Sequence, residues 1–234
     1  NKEGFKYHRK DLKMLLLRSI FGTLGILCNF YAVDHLLVSD ASMLNKLSPF
    51  FVIICSSLFL KEKATTVQKI SIIIAFIGSL FVIKPSLNIL NNVNSLIGVL
   101  GALGAGIAYT CVRQLGKQGV SGPKIVFFFS CFSCLSVVPY LIFNYQPMTL
   151  SQTAILIWAG LMAAGGQFAI TAAYNNAAGK DISIFDYSQI VFAAILGFVF
   201  LNQIPDLMSI IGYVIIILAA LFSYLYQRRR TVEL

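Results

Sequence analysis

The sequence contains few charged residues. Asp, Glu, Lys and Arg make up only 12% of its 234 residues, against about 25% in a typical soluble domain, and 58% of the residues are hydrophobic. Seventeen glycines and six prolines, many of them inside apolar runs, agree with membrane helices, where both residues are commoner than in soluble ones. The composition therefore excludes an ordinary soluble domain and indicates a polytopic membrane protein.

Histidine and paired cysteine are also scarce. The two histidines, His8 and His35, lie in a basic terminus and a connector, without a Ser/His/Asp set or a metal-ligand spacing nearby. The five cysteines lie within or at the ends of apolar runs, so neither a disulfide framework nor a zinc site is indicated. We interpret the Cys131/Cys134 pair as buried packing residues. We expect no metal site, no cofactor and no catalytic residue.

Apolar runs of about 20 residues, the length that crosses a bilayer, recur along the chain. The connectors between them are short and polar, and none is long enough to hold a soluble domain. Eight spans are predicted, at residues 12–32, 41–60, 67–83, 96–116, 124–143, 154–174, 182–201 and 207–226. The expected fold class is all-α, a polytopic membrane helix bundle.

The net charge of +9 is distributed unevenly over the connectors. When the connectors are numbered alternately with the N-terminal segment inside, sixteen of the eighteen basic residues are assigned to the inner side. Arg18 is counted among these sixteen, Lys84 lies outside, and Lys46 lies within a span. This bias supports the eight-span count and an orientation with both ends of the chain in the cytoplasm, and it explains the charge without nucleic-acid binding. The expected location is the plasma membrane.

A repeat with a constant offset of 141 residues relates the first three spans to the last three. The matched pairs are Gly25 with Gly166, Asp40 with Asp181, Ser42 with Ser183, Leu60 with Leu201, and Gly78 with Ala219. Because five helices make one period, the two copies have inverted topology, a construction found in many secondary transporters.

The repeat also predicts the organisation of the chain. Spans four and five precede the second triplet, and no counterpart precedes the first, so we expect an N-terminally truncated version of a ten-helix protein. Residues 1–85 are then the remainder of the first repeat, with three spans. Residues 96–226 form the second repeat, with five spans, and residues 227–234 form a basic cytoplasmic tail.

The candidate site residues follow from polar groups inside the spans. An ionisable residue in the membrane suggests a functional site by default, and Lys46 is such a residue. Ser42, Asn45, Lys46 and Pro49 share one helix face, and Pro49 is expected to free a backbone carbonyl. The face related by the repeat carries Ser183, Asp186 and Tyr187, with Gln189 beside it. Weaker candidates on the flanking spans are Asn29, Tyr109, Gln167 and Tyr174.

Simpler interpretations of these residues stay open. Lys46 could extend to the outer headgroups, and Asp186 lies near enough to the inner surface to be merely hydrated. Counting ~1.5 Å per residue from opposite faces of a ~30 Å core separates their backbones by roughly 12 Å in depth. The sequence therefore favours two separate polar stations over a direct ion pair.

The segment 39–63, with LNKLSPFF followed by an apolar run and LKEK, and the KP after the next helix, resembles the EamA type of the drug/metabolite transporter superfamily. The resemblance implies ten helices in two inverted five-helix halves, a central substrate cavity and cytoplasmic termini. One position departs from the family pattern. Gln203 stands where the family commonly repeats the acidic residue that matches Glu62, which puts an ionic role there in doubt.

The function expected from these observations is alternating-access transport of a small organic solute, amino-acid-like or drug-like, without enzymatic activity. The expected partners are that solute and the lipid bilayer, and a homodimer is left open. Two alternatives remain at this stage: a membrane assembly subunit that transports nothing, and a membrane enzyme using His8 or the Asp34/His35 pair.

Overall fold

The computed structural model describes residues 9–86, 93–202 and 204–232. These residues form helices joined by short connectors, and no strand occurs among them. The helices are α1 (Arg9–His35), α2 (Val38–Asn45), α3 (Ser48–Phe59), α4 (Thr66–Ile83), α5 (Val93–Lys117), α6 (Gly122–Phe143), α7 (Leu150–Asn176), α8 (Gly179–Ile182), a 3₁₀ helix (Ser183–Tyr187), α9 (Ser188–Leu201) and α10 (Leu207–Val232).

The prediction of eight membrane spans is confirmed within the described residues, where eight helical segments are long and apolar enough to cross a bilayer. Their bounds lie within four residues of the predicted ones, except that α10 continues to Val232. Much of the predicted tail therefore extends the last helix. Gln203, His8 and the last two residues lie outside the described part of the chain.

Two of the eight spans are not continuous helices. The second span consists of α2 and α3, and the seventh consists of α8, the 3₁₀ helix and α9. Interruptions at membrane depth expose backbone groups that must be satisfied inside the protein, so they occur where the chain is buried or lines a cavity. These two breaks lie at the candidate site.

Glycines allow the main helix pairs to approach closely. A Cβ atom at Gly25 would lie 3.1 Å from the carbonyl oxygen of Gly101, and one at Gly104 would lie 2.9 Å from that of Phe21. Gly78 on α4 would meet the Gly212 carbonyl of α10 at 3.0 Å. Small residues on both helices therefore let the backbones of α1 and α5 approach closely.

The apolar residues divide between an inner core and an outward surface. One core cluster surrounds Tyr187 and another surrounds Tyr174, both of which are fully buried. Much of α7 faces outward, including Trp158 at 64% exposure, as expected of a lipid-facing helix. Cys131 and Cys134 are exposed on α6, so their interpretation as buried packing residues was wrong. A uniformly apolar helix carries no signal that separates its lipid-facing side from its packed side.

The capping contacts at the starts of α4 and α10 occur at positions that are related by the offset of 141. The Thr65 side chain caps α4 by accepting from the backbone N–H of Gln68. The Asp206 side chain accepts from the backbone N–H and the hydroxyl of Ser209 at the start of α10. Asp206 and Ser209 are the repeat images of Thr65 and Gln68. This correspondence supports the division into two repeats, which remains a prediction.

Candidate functional site

The break in the second span lies at Lys46. Helix α2 ends at Asn45, α3 begins at Ser48, and Pro49 occupies the first turn of α3, where a missing backbone N–H costs no helical hydrogen bond. The backbone N–H of Phe50 bonds to the carbonyl of Leu47, so the Lys46 carbonyl is available to another donor. The Tyr187 hydroxyl donates to it at 3.0 Å.

The break in the seventh span brings Asp186 and Tyr187 to the same place. The 3₁₀ helix that contains them begins at Ser183, whose buried hydroxyl bonds back to the Gly179 carbonyl. The Asp186 carboxylate accepts a hydrogen bond of 2.8 Å from the hydroxyl of Tyr174. Tyr174 in turn stacks on Tyr109, with ring centroids 4.6 Å apart.

The ammonium of Lys46 joins the two breaks. It donates to the side-chain oxygen of Gln189 at 2.6 Å and to the backbone carbonyl of Asp186 at 3.4 Å. Among the ion pairs of the described residues, none links the Lys46 ammonium to the Asp186 carboxylate. Lys46 is therefore held by neutral oxygen acceptors, and the carboxylate is held by a tyrosine.

The sequence favoured two separate polar stations over a direct ion pair, and no such pair occurs among the described residues. The expected distance between the stations was wrong, because the Lys46 ammonium reaches the backbone of Asp186. The depth estimate treated each span as a straight α-helix that starts at the membrane surface. Both spans are instead broken at these residues, and the long lysine side chain reaches across to the opposite segment. Lys46 also points into the protein instead of extending to headgroups, since its ammonium bonds to residues of the other break.

A cavity of about 350 Å³ adjoins the Lys46 ammonium. Four of the predicted residues line it: Ser42, Asn45, Lys46 and Gln189. The rest of its wall comes from α4, α9 and α10 and is mostly apolar. These residues are Val82, Ile83, Ile190, Ala193, Ala194 and Tyr213. A few convergent polar groups in an apolar wall are the usual composition of a small-molecule site.

The other predicted residues lie at varying distances from this cavity. Pro49, Ser183 and Tyr187 are buried behind it and shape the two breaks. Asp186 and Tyr109 do not line the cavity, and both contact Tyr174, the first through a hydrogen bond and the second by ring stacking. Gln167 instead donates to Thr171 on its own helix at 3.0 Å, and Asn29 packs at the α1–α5 crossing near Gly101. The structure does not bring these last two to the cavity.

Sequence reasoning missed Tyr213 as a wall residue and misplaced Arg18. Arg18 was counted as a cytoplasmic charge, but it is only 3% exposed and its guanidinium lies over the ring of Phe129, 4.0 Å from the centroid. The signal was present in the sequence, because Arg18 falls six residues inside the first predicted span. Tyr213 gave no comparable signal on its apolar helix.

An ionic cluster closes one end of the bundle, which we call the Glu62 end. Glu62 accepts from Arg113 at 3.0 Å and from Lys117 at 2.7 Å, and Arg113 also reaches the carbonyl of Asn175. Burial alone would raise the pKa of Glu62, but the bonds from Lys117 and Arg113 outweigh it and hold the pKa below its ordinary value. The cluster thereby ties the α3–α4 connector to α5 and, through Arg113, to the end of α7.

The opposite end, which we call the Lys84 end, carries a second set of polar contacts. Lys84 pairs with Asp206 at 2.5 Å, and both side chains are about half exposed. The hydrogen bonds from Lys84 and Ser209 lower the pKa of Asp206 to about 2. Nearby, the buried Asp40 accepts from the backbone N–H and the hydroxyl of Ser86, each at 2.6 Å. The cavity lies between this end and the two helix breaks.

The sequence profile of the EamA-like transporter family matches residues 2–84 and 94–225, nearly the whole chain. The chain belongs to the EamA-like transporter family. This membership makes it a multi-pass membrane transporter of small solutes and not an enzyme, so the enzyme and assembly-subunit alternatives are set aside.

Several named transporters resemble this EamA-family chain. It is 32% identical to the pseudopaline exporter CntI of Pseudomonas aeruginosa, over 93% of this chain and 77% of that protein. It is 26% identical to a riboflavin transporter of Brucella anthropi, over 88% and 74% of the two chains. A solved crystal structure shares the fold with a TM-score of 0.77, over 98% of this chain and 80% of the other, at 14% identity.

Proposed function

We propose that this EamA-family protein moves a small amino-acid-like solute across the plasma membrane by alternating access, with the Lys46 cavity as its binding site. The observation that carries the proposal is the hydrogen bond from Lys46 to Gln189, which places an ammonium group at the wall of a small cavity where two broken helices meet. Broken helices at such a point are the usual substrate site of inverted-repeat transporters.

The chemistry of the site supports a solute that carries both a negative and a positive charge. Within the described part of the chain, the Lys46 ammonium bonds to neutral acceptors, so a carboxylate would gain more from it than Gln189 does. The carboxylate of Asp186 accepts a hydrogen bond from the hydroxyl of Tyr174, and it is suited to bind an amine or a proton. The pseudopaline exporter and the riboflavin transporter that resemble this chain are named for different solutes, so the solute class rests on these two side chains.

The polar contacts at the two ends support a direction for the present conformation. The Glu62 cluster ties the α3–α4 connector to α5, while the cavity lies toward the Lys84 end. With the basic connectors in the cytoplasm, as the distribution of Lys and Arg predicts, the site would face outward in this state. Opening to the cytoplasm would then require the Glu62 cluster to separate.

Solute flux into proteoliposomes tests this proposal. A panel of amino acids, organic anions and cationic drugs is measured with the wild-type protein and with Lys46→Met, Asp186→Asn and Lys10→Met. Lys10 is an exposed residue at the start of α1, so its variant controls for loss of one positive charge. We expect the first two variants to lose flux of an amino-acid-like solute by at least roughly tenfold, the loss of one charged hydrogen bond. Equal flux in all four proteins would overturn the proposed site.

A further inference from the structure

A groove with a volume of about 430 Å³ lies between the end of α3 and the start of α4, at the Glu62 end of the bundle. We call it the α3–α4 groove. Its apolar wall includes Ile53, Ile54, Leu58 and Ala64. Ile53 is buried in the core, whereas Ile54 and Leu58 are 51% and 71% exposed. Lipid tails are as apolar as leucine, so the exposed part of this wall suits an acyl chain.

Two lysines lie on the polar side of this groove. Lys63 belongs to the α3–α4 connector, and Lys69 follows the first residue of α4 by three positions, about 5 Å along the helix axis. Both side chains are exposed, and none of the ion pairs found among the described residues includes either of them. The groove therefore presents two positive charges beside an apolar wall.

The connector separates these lysines from the nearest carboxylate along the chain. Lys61 has a φ of 57°, and the backbone N–H of Glu62 bonds back to the carbonyl of Ser56, which ends α3 in a tight turn. The Glu62 side chain then bonds to two cations of α5, while Lys63 lines the groove. The negative charge of Glu62 is thereby balanced within its own cluster, and an anion in the groove would meet the two lysines.

A second groove, at the start of α10, shows that the scaffold does not require these lysines. It has a volume of about 290 Å³ and includes Ile204 and Pro205, which the predicted repeat relates to Lys63 and Ala64. The charged residue in its wall is the acidic Asp206. The basic charge is therefore particular to the α3–α4 groove and is not a consequence of how the two helices meet.

We propose that the α3–α4 groove binds an anionic phospholipid, with the phosphate bonded to Lys63 and Lys69 and an acyl chain along Ile54 and Leu58. In the orientation that the basic connectors predict, the groove lies in the cytoplasmic leaflet, which has a negative surface potential. Basic pockets between membrane helices on this side can bind such headgroups. The groove shares no described wall residue with the Lys46 cavity, so lipid binding here is independent of the proposed transport.

A role in membrane orientation is the simpler explanation for the two lysines. Positive charges beside the inner ends of the spans bias topology wherever they lie, and they need no groove. That role predicts no preference for one phospholipid over another at this place. A measurement made at the groove itself therefore separates the two roles.

Quenching of a tryptophan in the groove by brominated phospholipids provides this measurement. The chain has a single tryptophan, Trp158, which is exposed on α7. Leu58→Trp is combined with Trp158→Phe, so that the fluorescence reports on the groove alone. The protein is placed in bilayers of dioleoyl phosphatidylcholine, and brominated phosphatidylglycerol or brominated phosphatidylcholine is titrated. The two titrations give the binding constant of the anionic lipid relative to that of the zwitterionic one.

We expect the anionic lipid to bind the groove roughly 25-fold more strongly, since each lysine near an anionic group contributes about fivefold. Lys63→Met with Lys69→Met should abolish this preference, while arginine at both positions should keep it. Lys10→Met with Lys13→Met, which removes two exposed charges from the start of α1, should also keep it. Trp158 of the wild-type protein should show no preference.

Equal quenching by the two lipids at position 58 would contradict the inference, and so would a preference that survives Lys63→Met with Lys69→Met. An equal preference at Trp158 would mean that anionic lipid is attracted to the protein in general, and it would also contradict the inference. Inorganic phosphate at constant ionic strength should leave the preference unchanged. If it displaces the lipid, the lysines bind phosphate ions and the lipid site is wrong. Quenching by brominated phosphatidylcholine confirms that each variant is inserted in the bilayer.

Discussion

The hydroxyl of Tyr187 donates to the backbone carbonyl of Lys46 at 3.0 Å, and the two residues are 141 positions apart. This separation equals the offset of the repeat, so each residue is the image of the other. Two related positions can touch only where the axis that relates the two halves passes. The contact therefore marks the centre of the predicted pseudo-symmetry, where both helix breaks and the Lys46 ammonium also lie.

Tyr187→Phe tests this contact directly. Tyr187 is fully buried, so loss of its hydroxyl leaves the Lys46 carbonyl without this donor. We expect the free energy of unfolding to fall by about 1–3 kcal/mol, the cost of an unsatisfied buried acceptor. Thermal unfolding in detergent measures the change, and Tyr140→Phe on the exposed face of α6 is the control. Equal midpoints for the two variants would mean that the Lys46 carbonyl finds another donor.

Glu62→Gln should remove a pH-dependent contribution to stability. The pKa of Glu62 is lower in the folded protein than its ordinary value, so folding is stabilised when the pH is above that ordinary value. This contribution is lost as the pH falls through the folded pKa. We expect the variant to be less stable than the wild type by about 1 kcal/mol at pH 7, and this difference to disappear as the pH falls below the lowered pKa of the folded Glu62 carboxyl. Thermal unfolding between pH 3 and 7 measures this, with Asp34→Asn as the control.

Glu62→Gln should also change which side of the membrane the cavity faces. A cysteine replacing Ala194, a cavity residue, is placed in a protein lacking its native cysteines and labelled from outside with a membrane-impermeant thiol reagent. Loss of the Glu62 cluster should lower the outward-facing population and slow the labelling. Asp34→Cys, at an exposed position of the Lys84 end, should label equally in both backgrounds. Faster labelling at position 194 would contradict the assigned role of the cluster.

Gly104→Ala should weaken the α1–α5 contact. The added Cβ atom would lie 2.9 Å from the carbonyl of Phe21, a backbone atom that cannot turn aside. We expect a loss of about 1–3 kcal/mol, the usual cost of overpacking. Gly165→Ala is the matched control, since nothing lies within 4 Å of its added atom. It should match or exceed the stability of the wild type, because alanine is the better helix former.

The spans could be predicted closely because a bilayer imposes a local rule. Each crossing needs about 20 apolar residues, so hydropathy alone located α4 within one residue of its observed bounds. Which side of each helix faces lipid and which side is packed could not be predicted in the same way. Cys131 and Cys134 lie on an apolar helix whose lipid-facing and packed faces have the same composition, and only the packing of α6 distinguishes them.

The candidate site was predicted in part. Helical spacing placed Ser42, Asn45 and Lys46 on one face, and all three line the cavity. Depth along the membrane was misjudged, because the sequence did not show how far each break redirects its span. Asn29 and Gln167 were chosen as polar residues in apolar spans, and the structure uses neither at the cavity. The binding of a solute by the lining residues and the formation of a homodimer remain predictions.

The sequence by itself determined the membrane class, the eight spans and the family resemblance, because hydropathy and motifs are local properties of the chain. It also predicted the equivalence of Lys46 with Tyr187 from a constant offset. Only the tertiary structure decided that the Lys46 ammonium meets Gln189 and that Arg18 is enclosed over Phe129. These contacts join residues 143 and 111 positions apart. They depend on how the broken helices and the glycine crossings bring distant segments together, which no local pattern encodes.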